Sequence, residues 1–145
     1  GGLMQSAFEY LTANGMQSNE SYVYTGRDGT CKYNKSKVTA TVKNVQCFEN
    51  SSDNAMKAQL AKGPCDIALD ATDFQSYTGG VLSCEGSQLD HGVLLVGFGV
   101  ENGVAYWIVK NSWGKNWGEN GFVRISQAAG QNCAIGVYTS VVELQ

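Results

Sequence analysis

Residues 106–122 read YWIVKNSWGKNWGENGF, and the rest of the sequence is best understood from this stretch outward. It opens as an apolar run and becomes polar and rich in glycine from Asn111 onward. All three tryptophans of the chain lie within it. The pattern predicts a strand over residues 105–110, a glycine-rich corner, and a second strand over residues 121–126.

More strand-like segments lie on both sides of this stretch. Residues 65–70 alternate between apolar and polar or small side chains, and residues 93–100 form an apolar run broken by two glycines. Residues 135–142 are again apolar, and residues 38–47 alternate weakly. Several short strands with glycine-rich connections predict a mainly antiparallel sheet or barrel.

Two helices are also predicted, one at the start of the chain and one between the strand segments 38–47 and 65–70. In the first, Asn14-Gly15 forms the stop signal. Its apolar face is made by Met4, Ala7, Phe8 and Leu11. The second runs over residues 53–62, with Ser51 or Ser52 as the cap and Gly63-Pro64 at the end. Residues 18–36 are polar and predict a loop, so the fold class is α+β.

Composition excludes several classes of protein. The chain has 145 residues, 43% hydrophobic and 16% charged, which indicates a globular domain with a core. A net charge of −3 argues against a nucleic-acid partner, because phosphate binding needs a basic face. No apolar run is long enough to span a membrane. Because the sequence opens on Gly-Gly without Met, we expect a processed or incomplete chain.

Cysteine content indicates an oxidising compartment, because five cysteines occur in 145 residues. No pair has C-x-x-C spacing and His91 is the sole histidine, so neither a metal site nor a cofactor is expected. Five is an odd number, so at least one cysteine is free or pairs outside the chain. Three N-x-S sequons, at Asn19, Asn34 and Asn50, are compatible with secretion.

His91 and Asn111 are the residues with the clearest chemical use. His91 precedes the apolar run 93–100, and Asn111 begins the glycine-rich corner. An amide oxygen that accepts from one imidazole N–H fixes the ring's tautomer and aims its other nitrogen at a nucleophile. A tryptophan over that hydrogen bond would exclude water from it. The alternative is a tryptophan-rich hydrophobic corner with an incidental asparagine.

The motifs resemble those of papain-like cysteine proteases, and most of all the cathepsin L-like branch. The resemblance rests on DHGVLLVGFG (90–99) followed by YWIVKNSWGKNWGENGFVRI (106–125). It extends to GGLMQSAFEYL (1–11) and SYVYTGRDGTCKYN (21–34), where Val23 stands at a usual proline. It implies a two-lobe papain-like fold. This chain would supply one helix of the helical lobe and most of the β-rich lobe, as the C-terminal part (residues 1–145) of a single peptidase domain.

The resemblance also implies roles for individual residues. His91 would be the acid and base partner of the nucleophile, and Asn111 would orient it. Trp113 would shield their hydrogen bond, Trp117 would line the leaving-group side of the cleft, and Asp90 would sit at the cleft edge. A hydrophobic pocket for the substrate side chain second from the scissile bond is implied, with Gly1 and Gly2 as a backbone-pairing ledge. Its residues would be Leu3, Met4, Ala68, Leu89, Gly92 and Tyr138.

The nucleophile of this family is absent from the sequence. Its signature, C-G-[SA]-C-[WY], does not occur, and the family's spacing would put it roughly 40–60 residues before Gly1. The oxyanion-hole glutamine would be missing with it. We therefore expect no peptide hydrolysis by these 145 residues alone.

The cysteines present match other features of the family. The resemblance implies a disulfide between Cys84 and Cys133, and a partner outside the chain for Cys31. Cys47 and Cys65 depart from the family pattern. They either form an extra bridge around the second helix or remain two free thiols.

The resulting hypothesis is a cysteine-type endopeptidase acting on polypeptides in a lysosome or other acidic vesicle, or after secretion. Its partners would be the segment that holds the catalytic cysteine, a prosegment of a zymogen, or a cystatin-type inhibitor. One alternative is an inactive homologue whose nucleophile has been replaced and which has a binding or structural role. Another is a stand-alone secreted binding module.

Overall fold

The computed structural model describes residues 1–144, which divide into two compact units. The first comprises Gly1–Gln46 and the chain end from Val142. The second comprises Cys47–Val141.

The first unit begins with helix α1, Met4–Asn14, as predicted. The helix stops at Gly15, whose N–H donates to Leu11 O at 2.8 Å. Gly15 has a φ of +77°, and a Cβ at this position would lie 2.5 Å from Val38 Cγ1, so only glycine fits. Strand β1 (Met16–Gln17) then pairs antiparallel with β2 (Val38–Ala40). The predicted loop is confirmed as far as Asn34, which caps a 3₁₀ turn over Lys35–Lys37.

The second unit contains helix α2, Asp53–Leu60, which ends two residues before the predicted boundary. Ser52 is its cap, with Oγ accepting from Ala55 N at 3.3 Å. Met56 is 1% exposed and faces the core. The helix therefore covers part of the sheet with a single buried side chain and leaves its polar residues outward.

A seven-stranded sheet forms the main body of the fold. Its strand order is β3-β9-β4-β6-β7-β8-β5. The strands are β3 (Val42–Glu49), β4 (Cys65–Leu69), β5 (Val81–Leu82), β6 (His91–Glu101), β7 (Val104–Lys110), β8 (Phe122–Ser126) and β9 (Tyr138–Leu144). The β4–β6, β4–β9, β6–β7 and β7–β8 pairs are antiparallel, whereas β5 pairs parallel with β8. The α+β class and the mainly antiparallel sheet are thus confirmed.

Three details differ from the sequence predictions. The strand expected over residues 38–47 is two strands interrupted at Thr41. The strand expected over residues 135–142 begins only at Tyr138, because Cys133, Ala134 and Gly136 have φ of 52°, 61° and 98° and form tight turns. A 3₁₀ helix over Thr72–Ser76 was not predicted.

The core lies in the second unit, on one face of the sheet. Alternation along β4 puts Cys65, Ile67 and Leu69 on that face at 0% exposure. Trp107 of β7, also 0% exposed, is the largest buried side chain. Cys84 and Cys133 form the disulfide that the family resemblance implies, and both are buried. Within residues 1–144, no helix has the length and apolar character needed to cross a membrane.

Candidate active site

His91 lies where the sheet and a connecting loop meet. It is the first residue of β6 and pairs in register with Leu69 at the end of β4. The preceding residue, Asp90, is fixed by two hydrogen bonds: its N–H donates to Leu69 O at 3.1 Å, and its Oδ1 accepts from Ala71 N at 2.9 Å. The backbone just before His91 is therefore tied to the end of β4 and to the loop that follows β4.

Asn111 is placed by the adjacent strand. It follows β7 directly, and the antiparallel pairing of Leu94 with Lys110 brings the end of β7 beside the start of β6. The Asn111 N–H donates to Gly121 O at 2.9 Å, which closes the glycine-rich corner. The side chain is buried at 8% exposure. Two residues that are twenty positions apart in sequence thus meet through strand register.

The hydrogen bond between these side chains determines the histidine tautomer. Asn111 Oδ1 accepts from Ser112 N at 2.8 Å and lies 2.8 Å from His91 Nε2. Because an amide oxygen can only accept, His91 Nε2 must carry the proton. In the neutral ring, Nδ1 then keeps its lone pair and is free to accept a proton from another group.

The amide nitrogen of Asn111 has no corresponding partner. Nδ2 is one of four buried side-chain nitrogen or oxygen atoms without a hydrogen-bond partner among residues 1–144. Leaving a buried donor unsatisfied costs about 1–3 kcal/mol. That unfavourable placement is explained if the oxygen's position beside His91 is required for function.

Trp113 covers the imidazole from the solvent side. Its ring centroid lies 5.3 Å from that of His91, with an interplanar angle of 36°. The indole is itself 43% exposed, so it separates the histidine–asparagine pair from water while facing water on its outer side. An aromatic cover of this kind lowers the local dielectric and strengthens the hydrogen bond beneath it.

A second aromatic layer supports the first; the sequence assigned its Trp117 to the site, whereas its Phe74 was missed. Phe74 is fully buried and makes edge-to-face contacts with His91 and Trp113, at centroid distances of 6.2 and 6.1 Å. Trp117 packs on Phe74 at 5.4 Å and donates from Nε1 to Phe74 O at 2.9 Å. Trp117 also meets Trp113 edge-to-face, at 5.3 Å between ring centroids. Phe74 and Tyr77, three residues apart just before Gly79-Gly80, were the available sequence signal.

A cluster of charged side chains around Arg124 also helps to fix the glycine-rich corner. Arg124 of β8 donates to both carboxylate oxygens of Glu119, at 2.9 and 2.8 Å, and to Glu101 at 2.9 Å. Hydrogen bonds from Arg124 lower the pKa of Glu119, and the same bonds raise the pKa of Arg124. The Tyr77 hydroxyl joins the cluster by accepting from Arg124 N at 3.2 Å and donating to Gly80 O at 2.7 Å.

Three of the residues assigned to the substrate pocket form one row across the sheet. Ala68 pairs with Gly92 on one side and with Tyr138 on the other. Leu89 is in the loop before Asp90 and is 40% exposed. The other assigned residues, Gly1, Gly2, Leu3 and Met4, belong to the first unit, where Leu3 is 74% exposed.

Cys47 and Cys65 are not bridged to each other, so of the two alternatives left open by the sequence the structure has the two free thiols. Cys65 points into the core at 0% exposure. Burial is the larger cause that raises the pKa of its thiol, and the nearby charge of Asp66 raises it further. Cys47 is exposed on β3. Cys31 is also exposed and unpaired within residues 1–144. In that same part of the chain, no group of three or more His, Cys, Asp or Glu residues is arranged to hold a metal ion.

Comparison with known proteins relates this arrangement to a family. The sequence model described as "Papain family cysteine protease" matches residues 1–142. Cysteine proteinase 15A of Pisum sativum is 44% identical, over 98% of this chain and 42% of that protein. A cathepsin L-like protein of Caenorhabditis elegans is also 44% identical, over 97% of this chain and 44% of that protein.

A solved structure agrees. Digestive procathepsin L2 proteinase from the larval midgut of Tenebrio molitor superposes with a TM-score of 0.91 at 40% identity, over 98% of this chain and 47% of that one. The chain thus spans less than half the length of these relatives. Taken together, family match, sequence identity and superposed fold show that the chain belongs to the papain family of cysteine proteases.

Proposed function

We propose that residues 1–145 are the C-terminal part of a single papain-like peptidase domain, and that the complete protein is a cysteine-type endopeptidase. The observation that supports this most directly is the 2.8 Å contact between His91 Nε2 and Asn111 Oδ1. It leaves Nδ1 available as a proton acceptor. A histidine held in this way is the base half of a nucleophile–base pair.

The proposed reaction is acyl transfer to a thiol. The nucleophilic cysteine gives its proton to His91 Nδ1, and the resulting thiolate and imidazolium stabilise each other. The thiolate adds to the peptide carbonyl carbon, and His91 then returns the proton to the leaving amine. Water, deprotonated by His91, hydrolyses the thioester and releases the acid product. Asn111 keeps the ring in position through each proton transfer.

The nucleophile is proposed to lie on residues that precede this sequence in the complete protein. The sequence has no stretch that matches the family's signature around the cysteine. Cys65 is buried, and Cys84 and Cys133 are joined to each other. Of the two exposed thiols, Cys31 belongs to the first unit, and Cys47 lies on β3, which β9 and β4 separate from β6 in the strand order.

Substrates and location follow from the same proposal. The row of Ala68, Gly92 and Tyr138 would accept a substrate side chain, so the substrates are polypeptides. We further propose a prosegment, in keeping with the procathepsin relative, and inhibition by cystatin-type proteins. Lysosomal or secreted localisation is proposed on the same grounds, with the sequence's cysteine content in support.

The test is to locate the reactive thiol in the complete native protein. The protein is treated with a thiol-directed peptidyl epoxide, and the labelled residue is identified by mass spectrometry after digestion, with and without prior reduction. We expect one adduct, on a cysteine outside these 145 residues. Labelling should slow strongly in His91→Ala, because the thiolate loses its ion pair.

The unrelated thiols of the chain provide the control. Cys47→Ser and Cys31→Ser should not change the labelling rate of the reactive cysteine. Absence of any rapid adduct, with peptide binding retained, would favour the inactive homologue instead. Rapid labelling confined to Cys31 or Cys47 would contradict the proposed nucleophile.

A further inference from the structure

A polar pair lies next to the proposed pocket row, on the side of the sheet away from the core. Asp66 of β4 pairs in register with Ser140 of β9. Because β4 side chains alternate, Asp66 shares a face with Ala68, whereas Cys65 and Ile67 face the core. The peptidase mechanism proposed above makes no use of either Asp66 or Ser140.

Both side chains lack partners. The Ser140 hydroxyl is fully buried and makes no hydrogen bond among residues 1–144. The Asp66 carboxyl is largely removed from water, and within the same part of the chain no ion pair or hydrogen bond reaches it. Burial alone raises the pKa of Asp66. A largely buried carboxylate that accepts no hydrogen bond, beside a buried hydroxyl that makes none, is unfavourable unless another molecule supplies a partner.

The position of this pair relative to the pocket row follows from the register. His91 pairs with Leu69, Gly92 with Ala68, and Leu94 with Asp66. Asp66 is therefore one row farther from His91 than Ala68, about 7 Å along the strand. A substrate side chain that crosses Ala68 and continues in the same direction would reach the Asp66 carboxyl.

Tyr138 does not close this path. Its hydroxyl lies 3.5 Å from Cys47 Sγ, and Cys47 belongs to β3, on the opposite side of β9 from β4. The Tyr138 ring consequently leans away from Ala68 and Asp66. On β6, the in-register neighbours of Ala68 and Asp66 are Gly92 and Leu94, so the apolar surface before Asp66 is formed by Ala68 and Gly92.

We propose that Asp66, with Ser140 beside it, is a specificity residue that receives the guanidinium or ammonium group of a substrate Arg or Lys side chain lying over Ala68. This inference rests on the proposed peptidase function. The long aliphatic stems of Arg and Lys would pack on Ala68 and Gly92, and their cationic ends would supply the donors that Asp66 lacks. Leucine would fill the apolar row but stop short of the carboxyl.

The test compares substrates that differ in one group. The complete protease is assayed with three peptides that carry Arg, its neutral isostere citrulline, or Leu at the second position before the scissile bond. We expect kcat/KM for Arg to exceed that for citrulline by about 10- to 100-fold, the value of a charge-assisted hydrogen bond. Asp66→Asn should abolish this ratio by lowering kcat/KM for the Arg peptide.

Two variants control for charge and for folding. Asp28→Asn removes the same charge from an exposed loop and should leave the ratio intact. Asp66→Glu keeps the carboxylate and should retain part of the preference. If the wild-type protein treats Arg and citrulline alike, or if Asp66→Asn preserves their ratio, Asp66 is only structural and the proposal is wrong.

Failure of the peptidase function itself would be recognised separately, because the Leu peptide would not be cleaved. In that event, calorimetry with the same Arg and citrulline peptides still decides the inference. We expect at least tenfold tighter binding of the Arg peptide, lost in Asp66→Asn. Equal affinities would overturn it.

Discussion

The two compact units of this chain differ in how they are stabilised. The second unit has a continuous core of fifteen buried apolar side chains, a disulfide and the histidine–asparagine corner. In the first unit, Gly15 and Val42 are the buried positions among the described residues, and α1 has none. An isolated helix of eleven residues is marginal in water. The residues of the proposed chemistry therefore lie in the unit that has the hydrophobic core.

This difference shows how the site obtains its precision. His91 and Asn111 are held by strand register, two aromatic layers and backbone hydrogen bonds within the second unit. Every one of these elements has buried apolar contacts behind it. The first unit exposes Leu3, Tyr10 and Tyr24 at 74%, 46% and 87%, and holds no comparable constellation in its described residues.

The largest expected effect comes from removing the orienting amide. Asn111→Ala in the complete protease should lower kcat/KM by roughly 10²- to 10⁴-fold, because His91 loses the acceptor that fixes its tautomer. Asn116→Ala, an exposed asparagine in the same corner, should have little effect. An Asn111→Ala enzyme with nearly normal kcat/KM and an unchanged unfolding midpoint would show that the corner is only structural.

A phenylalanine substitution in each unit tests the difference in stability directly. In the 145-residue chain, Phe74→Ala should lower the free energy of unfolding by about 3–5 kcal/mol, because it opens a cavity under His91 and Trp113. Phe8→Ala in α1 should cost about 1 kcal/mol or less, because its side chain is only half buried. Denaturant titration gives both values. Equal losses would mean that the first unit has a core of its own.

The ion pairs of the two units extend the comparison to charged groups. Arg124, whose side chain is 20% exposed, makes three charge-assisted hydrogen bonds, and Arg124→Ala should cost about 1–3 kcal/mol. Lys43 and Glu143 in the first unit are 56% and 58% exposed, so Lys43→Ala should change stability by less than about 0.5 kcal/mol. Thermal unfolding at low and high salt measures both. The reverse order of effects would refute the argument from burial.

The smallest expected effect is a change in acid sensitivity. Hydrogen bonds from the Thr72 hydroxyl and backbone, and from Gln88 N, hold the pKa of Asp70 below its usual value. A lowered pKa in the folded state means that this stabilisation is present above the unfolded pKa, about 3.9, and is lost as pH falls through the folded pKa.

Asp70→Asn should therefore flatten the dependence of stability on pH in the acid range and should reduce stability at neutral pH. Unfolding midpoints measured between pH 7 and pH 2 provide the comparison. Asp73→Asn, an exposed neighbour, is the matched control. If the unfolding midpoint depends on acid pH in the same way in wild type and in Asp70→Asn, Asp70 does not contribute to the acid sensitivity.

Much of the fold could be read from local sequence signals. The end of α1, the Ser52 cap of α2 and the alternation along β4 follow from turn chemistry and periodicity, which act within a few residues. The start of β9 could not, because the positive φ values at Cys133 and Ala134 depend on the disulfide loop around them. The 3₁₀ helix with Phe74 was missed because its apolar residues are too few for a periodic pattern.

The candidate site divides in the same way. His91, Asn111 and Trp113 were identified from their residue types and from the family motif in which they occur. Phe74 was not, since a phenylalanine near a polar loop has many uses. Cys47 and Cys65 were left open between a bridge and free thiols. They were separated only when strand alternation put Cys65 in the core and Cys47 on the outside.

The sequence by itself determined the family, the α+β class, and the residue types available for proton transfer, because helix caps, strand alternation and motif spacing are local properties. Tertiary structure alone decided which atoms meet. The tautomer of His91, the aromatic layer beneath Trp113 and the pairing of Asp66 with Ser140 each join residues from different strands or loops. Such contacts depend on register and packing over the whole sheet, where a shift of one residue would turn every side chain to the other face.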